Sequence, residues 1–322
     1  YSSFYNYRSM TKIFHFILIV SLLTFFSCGE IRTFRSIPMG WKNISSNFED
    51  LPDGIRVFSG RNKQLPLNAW YVEVDSKNVH LYTEIVVSND MDRRETPGQF
   101  AARMDAVVVV NGGYFLMHKN PTEHVGLLKN NGEIISNTLR SMLKREKRYY
   151  LTRSAIGFDQ SGAMDIAWIA SHNDSIFEWD KPANNLPGVP VTEIDYSKAH
   201  FWKMNDAMQA GPVVVKNSRK HVTDNDEVFF WSKIPAIHPR TAAGYTKDGK
   251  YIFLVVDGRQ PDSRGVNLNE LSILMFDLDC EEAINLDGGG SSAIVVNGKL
   301  LNRPAGFTTQ REVMSAIAVF AG

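Results

Sequence analysis

The feature that most constrains this chain is a run of three glycines that breaks off an apolar strand pattern. Ala283–Leu286 is a short apolar run, and the polar segment Asp287–Ser292 follows it directly. Within regular structure each glycine costs roughly 0.5–1 kcal/mol relative to alanine, because it loses more backbone freedom on folding. The run therefore predicts either a tight turn between two strands or a backbone that approaches a ligand. Its consecutive amides could form an anion-binding concavity, beside one carboxylate and two hydroxyls.

Three further polar clusters stand at the ends of apolar runs. They are Asn111-Gly112-Gly113-Tyr114-Phe115, His238-Pro239-Arg240-Thr241 and Asp257-Gly258-Arg259. Strand ends followed by glycine are where side chains and free amides meet a cleft. Each cluster alone is equally consistent with an ordinary turn. Together they would supply guanidinium forks for phosphate or carboxylate, and carboxylates for chemistry at an acetal carbon.

The remaining pattern predicts an α+β fold, with one strand-rich catalytic domain, mixed or antiparallel sheets and few helices. Two β-hairpins are predicted from alternating apolar runs and turn residues. The first joins Ala69–Asp75 to Val79–Val87, and the second joins Arg240–Tyr245 to Tyr251–Val256 around an Asp-Gly turn. Strands dominate this pattern, so the polar clusters are expected on loops between strands.

Two segments have helix signals. Thr96 is a cap residue followed by proline, which is favoured in the first helical turn. A second helical repeat starts at Leu271, with Asn267 or Asn269 as its cap. Glu270 at the head of this helix is a third candidate carboxylate, although acidic residues there commonly interact with the helix dipole.

The first residues resemble a bacterial lipoprotein signal. Lys12 precedes the apolar stretch Ile13–Phe26, and Ser27-Cys28 closes it. This stretch is shorter than a typical transmembrane helix, so an export signal is the better interpretation. Cys28 is the predicted lipidation site, and the alternative is an ordinary cleaved signal with an incidental cysteine.

These signals predict the domain organisation and the location. Residues 1–28 would be the signal peptide, residues 29–67 a tether leading into the domain, and residues 68–322 the catalytic domain. The protein is expected to be exported, and to be periplasmic or held at the outer membrane by its lipid. Cys280 is then the one remaining thiol, so it is predicted to be free and buried or half-buried.

Composition and motifs exclude several other functions. Acidic and basic residues balance at 35 each, so no net charge favours nucleic acid as a partner. Basic residues do cluster within Arg140–Arg153, where a polyanion site and a solvated charged loop are both consistent with the sequence. The chain has no Gly-x-Ser-x-Gly elbow, no His-Glu-x-x-His or Cys-x-x-Cys pair, and no Walker loop.

The order of the polar clusters resembles that of the phosphodiester glycosidase family. The matching motifs are Asn111-Gly112-Gly113-Tyr114-Phe115, Gln209-Ala210-Gly211-Pro212, His238-Pro239-Arg240-Thr241-Ala242, Val256-Asp257-Gly258-Arg259, Asn285–Ser292, Asn297-Gly298 and Asn302-Arg303-Pro304. They span about Ala106–Phe320, and Tyr114 stands where phenylalanine is frequent in the family. The ordered set is far more specific than any one of its members.

The resemblance implies a hydrolase that cleaves a sugar-1-phosphodiester bond in a cell-surface, dietary or host glycan. The catalytic residues that it implies are Asp287, Asp257 and Arg240. The substrate-binding residues that it implies are Asn111, Gly112, Gly113, Gln209, His238, Arg259, Gly288, Gly289, Gly290, Ser291 and Ser292.

By the same analogy, Arg240 and the glycine run would hold the phosphate, and Asn111 and Gln209 would bind sugar hydroxyls. No cofactor is expected, and the alternative is a divalent cation such as Ca²⁺ at Asp257 or Asp287. The competing function is a surface lipoprotein that binds phosphorylated glycans without cleaving them.

Overall fold

The structure, a computed structural model, describes residues 36–307 and 309–322. Strands make up most of its regular structure. In chain order the strands are β1 (Lys42–Asn43), β2 (Ile55–Asn62), β3 (Leu67–Asp75), β4 (Leu81–Val87), β5 (Val108–Asn111), β6 (Leu128–Asn130), β7 (Glu133–Ser136), β8 (Ser141–Lys144), β9 (Lys147–Tyr150), β10 (Arg153–Phe158), β11 (Met164–His172), β12 (Ser175–Trp179), β13 (His200–Phe201), β14 (Asp206–Gln209), β15 (Val213–Lys216), β16 (Arg219–Lys220), β17 (Arg240–Thr246), β18 (Lys250–Val256), β19 (Cys280–Asn285), β20 (Ile294–Val296), β21 (Lys299–Leu300) and β22 (Ser315–Ala321). The α-helices of the described residues are α1 (Pro97–Met104) and α2 (Leu268–Asp277).

The strands form three large sheets and a separate hairpin. The sheet orders are β1-β2-β3-β18-β17-β19-β15-β16, β13-β12-β11-β10-β14-β6-β7 and β21-β20-β5-β22-β4, and β8 pairs with β9 alone. The strand pairs are antiparallel. The predicted α+β fold, rich in strands and poor in helices, is therefore confirmed.

Local signals in the sequence predicted several of these elements correctly. Thr96 caps α1 and Asn267 caps α2, each through a reciprocal capping box. The β17–β18 hairpin forms around the predicted turn. Glu270 belongs to the cap of α2 and also accepts a hydrogen bond from Arg264 at 2.6 Å, so its carboxylate stabilises the helix start.

The other predicted hairpin is wrong. β3 pairs with β2 on one side and with β18 on the other, whereas β4 pairs with β22 in a different sheet. Both edges of β3 are therefore occupied, and no edge is left for β4. The segment Ser76–Asn78, which follows β3, leads from one sheet to another and does not form a hairpin turn between paired strands.

The compact unit runs over Ser36–Gly322 and includes most of the predicted tether. Ile37 and Met39 are buried, and β2 pairs with β3 along its whole length. The described part of the tether segment, residues 36–67, is thus part of the folded domain. The predicted signal peptide and the lipidation site Cys28 lie outside the described residues.

A continuous apolar core joins the three large sheets. It includes Val72 and Phe253 of the first sheet, Ile156 of the second and Ile317 of the third. Cys280 is a buried free thiol, as predicted, and burial raises its pKa. No helix of the described residues has both the length and the apolar character needed to cross a membrane.

Candidate active site

The antiparallel registers bring the polar clusters to one edge of the first sheet. Arg240 at the start of β17 pairs with Val256 at the end of β18, and Ala242 pairs with Asn285 at the end of β19. The segments after Val256 and Asn285 are the Asp257 cluster and the glycine run. Three of the four clusters therefore meet where these strands begin and end.

Asn111 ties the fourth cluster to this edge. Its amide nitrogen donates to the carbonyl oxygen of Asp287 at 2.8 Å. Its carbonyl oxygen accepts from the Thr241 hydroxyl at 2.6 Å and from the Ala293 amide at 3.1 Å. Asn111 is fully buried, so it positions the backbone of Asp287 and does not face a ligand as the sugar contact that we predicted.

Gly112 and Gly113 also support this backbone from within the protein. The Gly112 carbonyl accepts from the Asp287 amide at 3.0 Å. Gly113 is packed closely, since a methyl group there would lie 2.6 Å from Nε2 of His124 and 2.7 Å from the Gln209 carbonyl oxygen. Both glycines are buried and therefore shape the turn after β5.

Gln209, the second predicted sugar contact, is likewise internal. Its side-chain oxygen accepts from the amides of Leu127 and Leu139 at 2.9 and 2.7 Å. Its nitrogen donates to the carbonyls of Arg153 and Ile169 at 3.3 and 3.5 Å. Every hydrogen-bonding position of this buried amide is filled, so it joins neighbouring strands and loops of the second sheet.

Asp287 is the partly exposed carboxylate of the site. It is half-buried directly after β19, and its Oδ1 accepts from the Gly288 amide at 2.8 Å. Burial raises the pKa of Asp287 to about 6, although the Ser291 hydroxyl, the Gly288 amide and the Arg311 guanidinium lower it. A carboxylate with a pKa near neutrality is suited to proton transfer at physiological pH.

The glycine run turns sharply, and most of its amides have partners within the protein. The amides of Gly288, Gly289, Ser291 and Ser292 all donate to acceptors within the protein. Gly289 has a φ of 65°, a left-handed conformation that favours glycine. Four amides of this run are therefore occupied, and neighbouring side chains supply further donors to an anion.

Arg311 supplies such a donor and was missed in the sequence. Its guanidinium lies against Gly290, where any side chain would collide with it, and Nη1 is 3.5 Å from the Ser291 hydroxyl. Ser291 is buried, and the hydroxyl of Ser292 is buried without a hydrogen-bond partner. Arg311 lies in a loop without regular structure, so no local sequence pattern predicts its place in the site.

Arg259 lies beside Gly289, the neighbouring glycine of the run. Its side chain is exposed, and a methyl group at Gly289 would lie 3.1 Å from Nη2. Nη2 donates to Nδ1 of His238 at 3.3 Å, while Nε2 of that histidine bonds the Lys233 carbonyl at 2.8 Å. Burial and the nearby guanidiniums lower the pKa of His238, so it is a neutral residue that orients Arg259.

Arg240 is a buried cation whose contacts are with neutral oxygens. Nε donates to the Val266 carbonyl at 3.1 Å, and Nη2 donates to the carbonyls of Ile234 and Ala236, both at 2.5 Å. Nη1 is 3.4 Å from Oδ1 of Asn285. Burial lowers the pKa of Arg240 to about 10. No carboxylate of the described residues forms an ion pair with it, so an anionic ligand would supply the missing charge.

Asp257, which we predicted as a catalytic residue, makes internal hydrogen bonds. Its oxygens accept from Nδ2 of Asn302 at 3.0 Å and from the Arg303 amide at 3.1 and 3.2 Å. The carboxylate is buried, and burial raises its pKa. These contacts anchor the loop after β21.

Among residues 36–307 and 309–322, no three His, Cys, Asp or Glu side chains group closely enough to hold a metal ion.

Tyr114 lies at the centre of the site and was noted in the sequence only as a departure from phenylalanine. Its hydroxyl donates to the Gly211 carbonyl at 2.8 Å and accepts from Nδ2 of Asn285 at 2.9 Å. Burial and the charge of Asp287 raise the pKa of this phenol, whereas Arg240 and Arg153 lower it. Tyr114 therefore remains protonated between groups of opposite charge.

Comparisons with known proteins match this chain to one family. The model of the phosphodiester glycosidase family matches residues 104–320. The human N-acetylglucosamine-1-phosphodiester alpha-N-acetylglucosaminidase is 27% identical over 216 residues, which cover 66% of this chain and 36% of that protein. The bovine protein of the same name is 26% identical over 216 residues. The chain thus spans about a third of the length of these curated relatives.

Solved structures share the fold. A hypothetical protein from Synechocystis has a TM-score of 0.59 at 16% identity, over 85% of this chain and 64% of that one. The catalytic domain of the zebrafish N-acetylglucosamine-1-phosphodiester alpha-N-acetylglucosaminidase, described as auto-inhibited by its pro-peptide, has a TM-score of 0.58 at 19% identity, over 88% of both chains. At these identities the likeness concerns the fold alone.

Proposed function

The chain belongs to the phosphodiester glycosidase family, and on that premise we propose that it hydrolyses a sugar-1-phosphodiester, releasing the sugar from a phosphate joined to a second alcohol. The observation that carries the proposal is the position of Asp287. This half-buried carboxylate, with a pKa of about 6, lies beside the guanidinium of Arg311 at an edge that also carries Arg259 and Arg240. The substrate would be a phosphorylated glycan of a cell surface, the diet or a host.

The guanidiniums are suited to the phosphate. Arg259 lies close to Gly289 and Arg311 lies close to Gly290, and Arg240 lies buried at the start of β17. A guanidinium can donate two parallel, charge-assisted hydrogen bonds to two oxygens of one phosphate. Charge that develops on the departing phosphate is stabilised where such donors are already in place.

The leaving group decides what Asp287 has to do. A phosphomonoester has a second pKa near 6, so at neutral pH it departs without needing a proton from the enzyme. Asp287 is then free to act as a general base. It accepts a proton from water, the water oxygen bonds to the anomeric carbon, and the bond from that carbon to the phosphate oxygen breaks with its electron pair leaving on phosphate.

Because Asp287 is the one carboxylate proposed to react, direct displacement of the phosphate by water is favoured over a covalent intermediate. Among the described residues, Arg311 is the one charged side chain that shifts the pKa of Asp287, and the carboxylate of Asp257 is occupied by its own donors. A covalent route would need a second group to activate water in its second step. We therefore propose attack by water itself, with inversion at the anomeric carbon.

Hydrolysis in ¹⁸O-labelled water of a panel of sugar-1-phosphodiesters tests this function. Free sugar and phosphomonoester are the expected products, with the label in the sugar. Asp287→Asn should lower turnover by at least about 10²-fold, the scale of removing one catalytic group. Asp279→Asn is the matched control, because Asp279 is exposed at the far end of β19.

Two outcomes would refute the proposal. Label in the phosphate would place the cleavage at the phosphorus–oxygen bond, and wild-type turnover in Asp287→Asn would remove this carboxylate from the reaction. Tight binding by calorimetry with no sugar released would favour the alternative, a protein that binds phosphorylated glycans without cleaving them.

A further inference from the structure

A second buried guanidinium lies close to the site and has no assigned role. Arg153 begins β10, and its Nη2 donates to the Glu227 carbonyl at 2.8 Å and contacts the sulfur of Met142 at 3.2 Å. Its Cζ lies 3.9 Å from the ring centre of Phe229. The Nε–H is buried and has no hydrogen-bond partner. A buried donor without an acceptor costs about 1–3 kcal/mol, so an acceptor supplied by a ligand would stabilise it.

The nearby carboxylate of Glu227 does not neutralise Arg153 through direct contact. Its oxygens are occupied by five donors, namely the amide and hydroxyl of Ser154, Nε1 of Trp168, the amide of Val213 and the hydroxyl of Thr223. Burial lowers the pKa of Arg153, and the Glu227 charge opposes that shift. No ion pair joins Arg153 to an acidic side chain of the described residues, so the direct contacts of this buried cation, like those of Arg240, are with neutral groups.

Arg153 and Arg240 reach Tyr114 from separate positions. The ring of Phe229, on which Arg153 stacks, is 6.1 Å from the ring of Tyr114. The Tyr114 hydroxyl contacts Asn285, which is also the partner of Arg240. Both guanidiniums lower the pKa of Tyr114, yet neither contributes to the pKa shift of the other. Their direct contacts are with different neighbours of Tyr114, Phe229 for Arg153 and Asn285 for Arg240.

The β8–β9 hairpin adds a second positive charge near Arg153. Lys144 at the end of β8 is half-buried, and burial together with Arg153 lowers its pKa. The next residue, Arg145, stacks on Trp231 with its Cζ 4.0 Å from the ring centre. The hairpin therefore contacts the Phe229–Trp231 segment, and part of the basic cluster seen in the sequence is directed into the protein.

We propose that Arg153 and Lys144 bind a second anionic group of the substrate, distinct from the phosphodiester. This inference rests on the proposed function, and it narrows the substrate class to glycosyl phosphates that carry a further negative charge. The second group accepts from the free Nε–H of Arg153. It is either a phosphate on the alcohol side or a carboxylate on the sugar.

Three matched substrates test the proposal with wild-type protein and Arg153→Gln. One is a neutral sugar-1-phosphodiester, one carries a phosphate on its alcohol, and one has a uronic acid as its sugar. A hydrogen bond to a charged group contributes about 1.5–3 kcal/mol, so the variant should lower kcat/KM for one charged substrate by about 10- to 100-fold. Turnover of the neutral substrate should fall less than about threefold. The substrate that responds identifies where the second anion lies.

Arg148→Gln is the control, since Arg148 is an exposed arginine of the same hairpin. Equal losses on all three substrates would show a structural role for Arg153 and overturn the inference. If Arg153→Gln does not fold, product inhibition of the wild-type protein tests the proposal. A phosphomonoester product with a second anionic group must then inhibit at least about tenfold better than its neutral counterpart. Absence of hydrolysis of every phosphodiester would refute the proposed function instead, whereas this difference in inhibition concerns binding alone.

Discussion

Replacing Asp287 with asparagine should make the protein less active and more stable at the same time. The pKa of Asp287 rises from 3.8 to about 6 in the folded protein, chiefly through burial. A raised carboxyl pKa means that the folded state disfavours the charged form. The protonated carboxyl group therefore adds to the unfolding free energy of the wild type. This contribution is complete below pH 4 and is lost as the pH rises through 6.

The magnitude follows from the size of the shift. About two pKa units correspond to about 3 kcal/mol of unfolding free energy, since one unit is worth about 1.4 kcal/mol. The amide side chain of the variant would still accept from the Gly288 amide but would lose the attraction of Arg311, so we expect Asp287→Asn to gain about 2 kcal/mol at pH 8. For a domain of this size that gain raises Tm by roughly 4 °C.

Calorimetric melting from pH 4 to pH 8 checks this reasoning. The difference in Tm between Asp287→Asn and wild type should be near zero at pH 4 and should increase between pH 4 and pH 6. The difference in Tm between the exposed control Asp279→Asn and wild type should not increase over this range. A difference that does not change with pH, or a variant that melts below wild type at pH 8, would show that burial of this carboxylate is not a cost to the fold.

Further predictions concern catalysis and the support of the site. Because Asp287 must be ionised to act as a base, kcat/KM should rise tenfold per pH unit below about 6 and then level off, and a profile that falls above pH 6 would assign it as an acid instead. The sugar first released from an α-linked substrate should be the β-anomer, as read by NMR within seconds of mixing; an α-anomer would require a covalent intermediate. Asn111→Ala removes the contacts to Thr241, Ala293 and the Asp287 carbonyl. Denaturant unfolding should show a loss on the order of 3 kcal/mol, and kcat should fall with little change in KM. A raised KM with unchanged stability would instead make Asn111 a sugar contact.

Short-range signals allowed much of the fold to be predicted. The caps at Thr96 and Asn267 and the Asp-Gly turn between β17 and β18 act over three or four residues, so the neighbouring sequence determines them. The hairpin predicted for β3 and β4 failed because strand pairing depends on which edges are free. Those edges are set by β2 and β18, the second of which lies far along the chain.

The same distinction applies to the site. The order of the polar motifs along the chain was sufficient to indicate the family, and a tight turn was one of the two structures that the glycine run predicted. Which side chains face a ligand was decided by tertiary contacts alone. Asn111 meets the Asp287 carbonyl across 176 residues of chain, and the Asp257 carboxylate meets Asn302 across 45. A polar group that finds an internal partner is unavailable to a substrate. Only the folded chain shows which groups, such as the guanidiniums of Arg240 and Arg153, form no ion pair with a carboxylate of the described residues.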